Sequence, residues 1–185
     1  MNKPSRQAKT YIEEWDDYHP RFPALMDFIH IQGQSDWATF TADWHQSSHL
    51  LIARRGQDLA GFLRFVIQPI GPDADCPPIQ FHGANLLEAK VLAFAVDKPY
   101  QRQGIGRQLQ EALIQRAKAL GCYQIRSHSG GDQMANHQLK LALGYGVHPI
   151  IRGADKRGAY FILPLSAVKS FLPHRKVRRS FPQRG

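Results

Sequence analysis

Residues 92–120, LAFAVDKPYQRQGIGRQLQEALIQRAKAL, restrict this chain more than any other stretch. The run at residues 91–96 carries no charge and is bounded by Asp97 and Pro99, which predicts a buried strand. A turn with Gly104 and Gly106 follows, and then a helix. Ile105, Leu109, Ala112, Leu113, Ala117 and Leu120 recur on one helical face, and Gly121 supplies a stop.

A strand, a glycine turn and a helix start in succession make an anion site. The first N–H groups of a helix have no partner inside it, and the helix dipole favours negative charge there. Gly104 and Gly106 let a phosphate approach the backbone, and Gln101, Arg102, Gln103 and Arg107 add donors. The alternative is a turn that only lets the helix pack on a sheet, and glycines alone do not separate the two. The dinucleotide fingerprint is excluded because Leu109 stands at its third glycine. The P-loop is excluded because no Gly-Lys-Ser/Thr ending is present.

Gln101-Arg102-Gln103-Gly104-Ile105-Gly106 resembles the Gln/Arg-x-x-Gly-x-Gly/Ala motif of the GNAT acetyltransferase superfamily. Phe94-Ala95-Val96 upstream and Tyr100 before the motif strengthen the resemblance. It implies an acetyl-coenzyme A site with the pyrophosphate on the N–H groups of Gln101, Arg102, Gln103, Gly104, Ile105, Gly106 and Arg107. It also implies that pantetheine adds like a strand to the edge at Phe94, Ala95 and Val96.

The rest of the chain fits around this unit. Its length suits one domain with tails, and a hydrophobic content of 43% is enough for a sizeable core. No stretch approaches a membrane span, and the polar N-terminus has no apolar signal region. Cys76 and Cys122 lie far apart without metal spacing, so a reducing, cytoplasmic setting is expected, with Cys122 in the core. The nine histidines are scattered, and no metal site is expected.

Tyr11, Ile12 and Trp15 fit either a short helix face or a first strand. Leu25, Phe28 and Ile29 predict a helix ended by Gly33. A second helix is expected from Ser35 or Asp36, because Trp37, Phe40 and Trp44 recur three and then four apart. Such a stripe belongs to the core, or alternatively lines an acceptor pocket. Residues 50–54 and 59–67 read as strands joined by Arg55-Gly56-Gln57-Asp58, with Gly61 marking a bend or bulge. Residues 68–85 form a Pro- and Gly-rich insertion, and the strand of the opening motif starts at Leu86. Beyond the motif helix come a strand at 123–128, a helix at 134–143 capped by Asp132 and stopped by Gly144, and strands at 147–152 and 159–165. This order predicts an α/β domain, and the resemblance implies a mixed central sheet flanked by helices on both faces. The expected organisation is an N-terminal extension at 1–19, the domain at 20–165 and a basic tail at 166–185.

The tail carries Lys169, Arg175, Lys176, Arg178, Arg179 and Arg184 and no acid, which is most of the net charge of +9. It reads either as a solvated segment or as a weak contact for RNA or an anionic surface.

The family's chemistry implies direct attack of an amine on a thioester, with a base, an oxyanion donor and an acid for the thiolate. Glu88, the only acid on the central strand, is the candidate base. It alternates in phase with Lys90, Leu92 and Phe94 unless a bulge intervenes. Asp97 is expected to cap the turn, and His82 and His128 are the other candidate bases. A backbone N–H near the strand end serves as the oxyanion donor. The acid departs from the family pattern Asn-x-x-Ala-x-x-x-Tyr-x-x-x-Gly-Phe. Gln133, Asn136 and Lys140 stand at its Asn, Ala and Tyr when Gly144-Tyr145 takes the place of Gly-Phe. A surface lysine is the expected state of Lys140, with His137 and Tyr145 as other candidate acids. The expected function is an acetyl-CoA-dependent N-acetyltransferase acting on an unidentified amine. A non-catalytic acyl-CoA-binding module and an RNA- or ribosome-associated protein acting through its tail are the alternatives.

Overall fold

The computed structural model describes residues 9–149 and 158–165. In chain order its elements begin with β1 (Thr10–Trp15), α1 (Phe22–Ile31), α2 (Ser35–Thr39), β2 (Ser47–Arg55) and β3 (Asp58–Pro69). The two short strands β4 (Gln80–Phe81) and β5 (Ala84–Asn85) form a hairpin, and β6 (Leu87–Val96) follows. The order closes with α3 (Ile105–Ala119), β7 (Gln124–Gly130), α4 (Met134–Ala142), β8 (Gly146–Pro149) and β9 (Gly158–Pro164). Seven strands form one mixed sheet in the order β1-β2-β3-β6-β7-β9-β8, parallel only between β6 and β7.

Helices cover both faces of this sheet, as expected. On one face Leu25 and Ile29 of α1 pack with Trp15, Ile52, Phe62 and Ala93. On the other, Ile105, Leu109, Leu113 and Ala117 of α3 pack against Leu63, Phe65, Ala89 and Val91. Ile105, Leu109 and Leu113 each contribute about 1.5–3 kcal/mol when fully buried, so the apolar stripe fixes α3 on the sheet. No described helix is long and apolar enough to cross a membrane.

The fold decides one open expectation and changes others. Thr10–Trp15 is a strand, paired along β2 from Thr10↔Arg55 to Trp15↔Leu50, so the sheet takes its edge from the segment before residue 20. The helix expected through Trp44 ends at Thr39, and Phe40 turns to an extended ψ of 130°. The aromatic stripe is therefore not core: Trp37, Phe40 and Trp44 are 52%, 39% and 37% exposed. The bulge near Gly61 falls on its neighbour, where Ala53↔Gly61 is followed by Arg54↔Leu59 and Ala60 is the extra residue. The last two strands, Gly146–Pro149 and Gly158–Pro164, each begin one residue before the expected start, and residues 150–157 lie outside the described residues. The tail at 166–185 lies outside them as well.

A second bulge matters more. Arg64 pairs with Ala93 and Phe65 with Val91, so Leu92 is an extra residue on β6. The alternation of side chains reverses there. Phe94 and Val96 turn to the α3 face, whereas Ala93 and Ala95 join the α1 face. Glu88 and Lys90, opposite Gln68 and Val66 before the bulge, lie on the α1 face. Glu88 is thus out of phase with Phe94, not in phase with it.

Candidate active site

The site forms where β6 and β7 part. Their pairing covers only Glu88↔Gln124 to Val91↔Ser127. Beyond it β6 continues to Val96 and β7 to Gly130, so two facing strand edges diverge without a ladder between them. The opening is a cleft of about 620 Å³, lined by Leu92 and Phe94 of β6, Ser127, His128 and Ser129 of β7, and Asn136 of α4 with Gln133 just before that helix. Gln34 and Trp37 close it from the α1–α2 side.

The N-terminus of α3 lies beside β6. A Cβ placed on Gly106 would stand 3.3 Å from the Phe94 ring, 3.4 Å from Leu139 and 3.7 Å from Val96, so its bare Cα sets the close approach of α3 to β6 and α4. Gly104 caps the helix at φ +81°, a conformation that costs any other side chain strain. The helix's first bond runs from the Gln108 N–H to the Gly104 carbonyl at 3.0 Å. The N–H groups of Ile105, Gly106 and Arg107 consequently lack a partner within the helix. Arg102, also at positive φ (60°), bends the preceding backbone.

The side chains of this turn are arranged differently from the expected ring of donors. Gln101 Nε2 donates to the Val96 carbonyl at 2.9 Å, and Gln103 Nε2 donates to the Pro99 carbonyl at 2.8 Å. Gln103 Oε1 in turn accepts from Arg55. Both amides brace the turn. The Gln101 N–H is also taken, by the Lys98 carbonyl at 3.3 Å. Asp97 caps the short 3-10 turn at Lys98–Tyr100, accepting from the Lys98 N–H at 3.0 Å. Tyr100 is pinned by its hydroxyl donating to Asp58 at 2.6 Å. Arg102 is exposed, and Arg107 stands 3.6 Å from Glu111 with about half of its side chain in solvent.

Glu88 is placed elsewhere. It has no exposure and does not line the cleft. Gln68 and Gln124 each donate to it at 2.9 Å, and Arg126 reaches it with Nε at 3.0 Å and Nη2 at 2.6 Å. Arg126 and Lys90 both also reach Asp73, which the insertion carries inward on a 3-10 turn (Pro72–Ala74). Burial acts to raise the Asp73 carboxyl, but Lys90 and Arg126 outweigh it and hold it below its ordinary value. The insertion is thereby tied to the strands it covers.

Of the two histidines, His128 lines the cleft, with its ring 5.5 Å from that of Tyr160. His82 stands exposed at φ 51° in the β4–β5 turn and does not line it.

Lys140 is buried rather than on the surface: 1% of it is exposed. Nζ lies 3.5 Å from the His128 carbonyl and 4.9 Å from the centre of the Phe161 ring. Burial pushes its ammonium down to about 7. One helical turn earlier, Asn136 lines the cleft. Its Nδ2 donates to Ser129 Oγ at 3.0 Å, while its Oδ1 is buried without a partner among the described residues. The sequence signal for this pair was the face formed by Asn136, Lys140 and Leu143, spaced four and three apart.

Residues 8–145 match the model of the Acetyltransferase (GNAT) family. No curated protein matches the chain in sequence. Among solved structures, the chain is similar to the ribosomal-protein-S18-alanine N-acetyltransferase of Escherichia coli, with 20% identity over 86% of this chain and 96% of that one and a TM-score of 0.56. It is similar to NAA60 of Arabidopsis thaliana, solved in complex with acetyl-CoA, with 11% identity over 83% and 96% of the two chains and a TM-score of 0.62. A GNAT-family acetyltransferase of Staphylococcus aureus gives 12% identity, coverage of 85% and 100%, and a TM-score of 0.60. At such identities the likeness is one of fold.

Proposed function

The chain belongs to the acetyltransferase (GNAT) family, and on that premise we propose that it moves an acetyl group from acetyl-coenzyme A to a primary amine within one ternary complex. The observation that carries this reading is the parting of β6 and β7 beside the N-terminus of α3. A free strand edge and unpaired helical N–H groups suit the two ends of the coenzyme, an amide-bearing arm and a pyrophosphate.

On this reading the pyrophosphate rests on the N–H groups of Arg102, Gln103, Gly104, Ile105, Gly106 and Arg107. Gln101 shapes the turn, because its own N–H is occupied. The arm lies along Phe94 and Ala95, with Val96 closing the edge through its bond to Gln101. The orphaned Asn136 Oδ1 is an acceptor suited to an amide N–H of that arm. Bound acetyl-coenzyme A supplies an activated thioester carbonyl. A backbone N–H of the β6 edge stabilises the oxyanion that develops there.

His128, not Glu88, takes the role of base. The strand alternation puts it on the α1–α2 side of the opening with Arg126, whereas Glu88 has both oxygens engaged. His128 accepts the amine's proton directly or through water. Lys140, on the α4 side one helical turn beyond the cleft-lining Asn136, supplies a proton to the departing thiolate, although it does not itself line the cleft. Acceptor and thiolate thus meet their proton partners from opposite sides of the sheet.

Calorimetric titration tests the reading. Acetyl-coenzyme A and desulfo-coenzyme A are expected to bind, and ATP is not; absence of coenzyme binding would sink it. With an acetylatable amine in hand, His128→Ala is expected to lower kcat about 100-fold, with little change in acetyl-CoA affinity. An unchanged kcat would remove His128 from the base role.

A further inference from the structure

Arg64 is a buried cation outside the machinery described above. It lies on β3, on the α1–α2 face of the sheet and opposite Ala93, and is 6% exposed. Its Nε donates to Ser48 Oγ at 3.2 Å, and its Nη1 donates to the Trp37 carbonyl at 2.6 Å. Among the described residues no carboxylate pairs with it, and burial alone lowers its ionisation. A guanidinium out of water without an anion is costly, and such a group draws one in.

A buried donor without a partner among the described residues stands on the segment between α2 and β2. His45 Nδ1 accepts the Ala42 N–H at 3.2 Å, which leaves the neutral ring's hydrogen on Nε2. That Nε2 is buried without a partner among the described residues. Burial, then the charges of Lys90 and Arg64, hold His45 below its ordinary ionisation, while Asp73 acts the other way. The imidazole therefore stands within the field of both cations. Lys90 is offset by Asp73, but Arg64 has no such partner.

The location gives Arg64 a use. Arg64 lines a second cleft, of about 610 Å³, with Trp15, Met26, Thr41 and Ser48. Its other bond is to Trp37, which lines the first cleft. Arg64 thus joins the lining of the second cleft to a residue that lines the first. Of the acids that line the second cleft, Glu14 is paired with His49 at 2.7 Å and Arg116 at 3.0 Å, and Asp16 and Asp17 are exposed.

We propose that Arg64 recognises an oxyanion on the acceptor, a carboxylate or a phosphate, and so selects an amine that also carries an acidic group. The guanidinium fork matches either group bidentately. The acceptor's acidic end sits against Arg64 while its amine reaches His128 in the first cleft. This rests on the amine-acetylation reading above.

The first test needs no turnover. In 15N-labelled full-length protein, the Arg64 Nε–H signal is identified by its loss in Arg64→Lys. It is followed during titration with acetate, inorganic phosphate and, at matched ionic strength, chloride. A saturable shift with acetate or phosphate and none with chloride is expected, and the stronger of the two names the group. No saturable shift, or the same shift with chloride, overturns the proposal. Kinetics with L-phenylalanine against phenethylamine, and phosphoethanolamine against ethanolamine, give the second test. Where a pair is acetylated, the acidic member is expected to have at least a tenfold lower KM, and Arg64→Met to raise that KM about 30-fold. Equal KM values within the pairs overturn the proposal. A protein that binds the oxyanion but acetylates nothing overturns the transferase reading alone; one that acetylates amines without the shift overturns this inference alone.

Discussion

Lys140→Met is expected to stabilise the protein by about 3 kcal/mol at pH 6, with the gain shrinking as the pH rises toward 10. The side chain is 1% exposed, and burial moves its ionisation from 10.5 to about 7. Below pH 7 both the folded and the unfolded chain carry the proton, so the folded state bears the whole cost of the buried charge. Between about 7 and 10.5 the unfolded chain binds the proton and the folded chain does not. Stability of the parent protein therefore rises with pH across that window. Methionine, similar in length and uncharged, removes both the cost and the slope. Urea denaturation at pH 6, 8 and 10 measures the effect. An unchanged midpoint at pH 6, or a gap that stays constant with pH, would show that the amine is not held in a low-dielectric site.

The same variant bears on the chemistry. If Lys140 supplies the thiolate's proton, the parent enzyme loses activity as this ammonium deprotonates above about pH 7. Lys140→Met should then be slower, and its alkaline limb should be lost. A more stable and equally active variant with the parent's pH profile would leave the lysine without a part in the reaction.

Gly104→Val is expected to weaken coenzyme A binding by about 10- to 100-fold, the loss of one to two charge-assisted hydrogen bonds. The reason is conformational. At φ +81° glycine costs nothing, whereas a β-branched residue is a clear outlier there. Space is not the obstacle, since a Cβ at this position meets nothing nearer than Gln108 Nε2 at 4.0 Å. The chain would relieve the strain by turning the first peptide of α3, which misdirects the N–H groups proposed for the pyrophosphate. The core face of α3 starts at Ile105 and is anchored by Leu109 and Leu113, so a stability loss of about 1–2 kcal/mol is expected and the fold should persist. Calorimetry against acetyl-CoA, with thermal melting alongside, separates the two effects. Parent-like affinity would remove this turn from the coenzyme site.

Gly104 and Gly106 look alike in the sequence but differ in the structure. Gly104 is required by its dihedral, and Gly106 by the Phe94 ring and the Leu139 and Val96 methyl groups that press on it. Their spacing announces a turn, but the physical demand at each depends on what packs nearby.

What the sequence determined by itself is local and periodic. The apolar run into Val96, the helical face from Ile105 to Ala117 and the stops at Gly33 and Gly121 follow from side-chain spacing and backbone freedom. These are properties of a segment alone. The motif at residues 101–106 identified the family for the same reason, since a helix start presents its N–H groups whatever lies around it. Only the tertiary structure decided how the side chains were used. A single extra residue, Leu92, reversed the phase of β6 and turned Phe94 away from the face of Glu88. Burial against Arg126 then made Glu88 a tie between strands. Packing on β7 and β9 enclosed Lys140, and the early end of α2 left Trp37 at a cleft instead of in the core. Register, burial and the charges that meet across strands belong to contacts between segments distant in the chain, and periodicity within one segment carries no record of them.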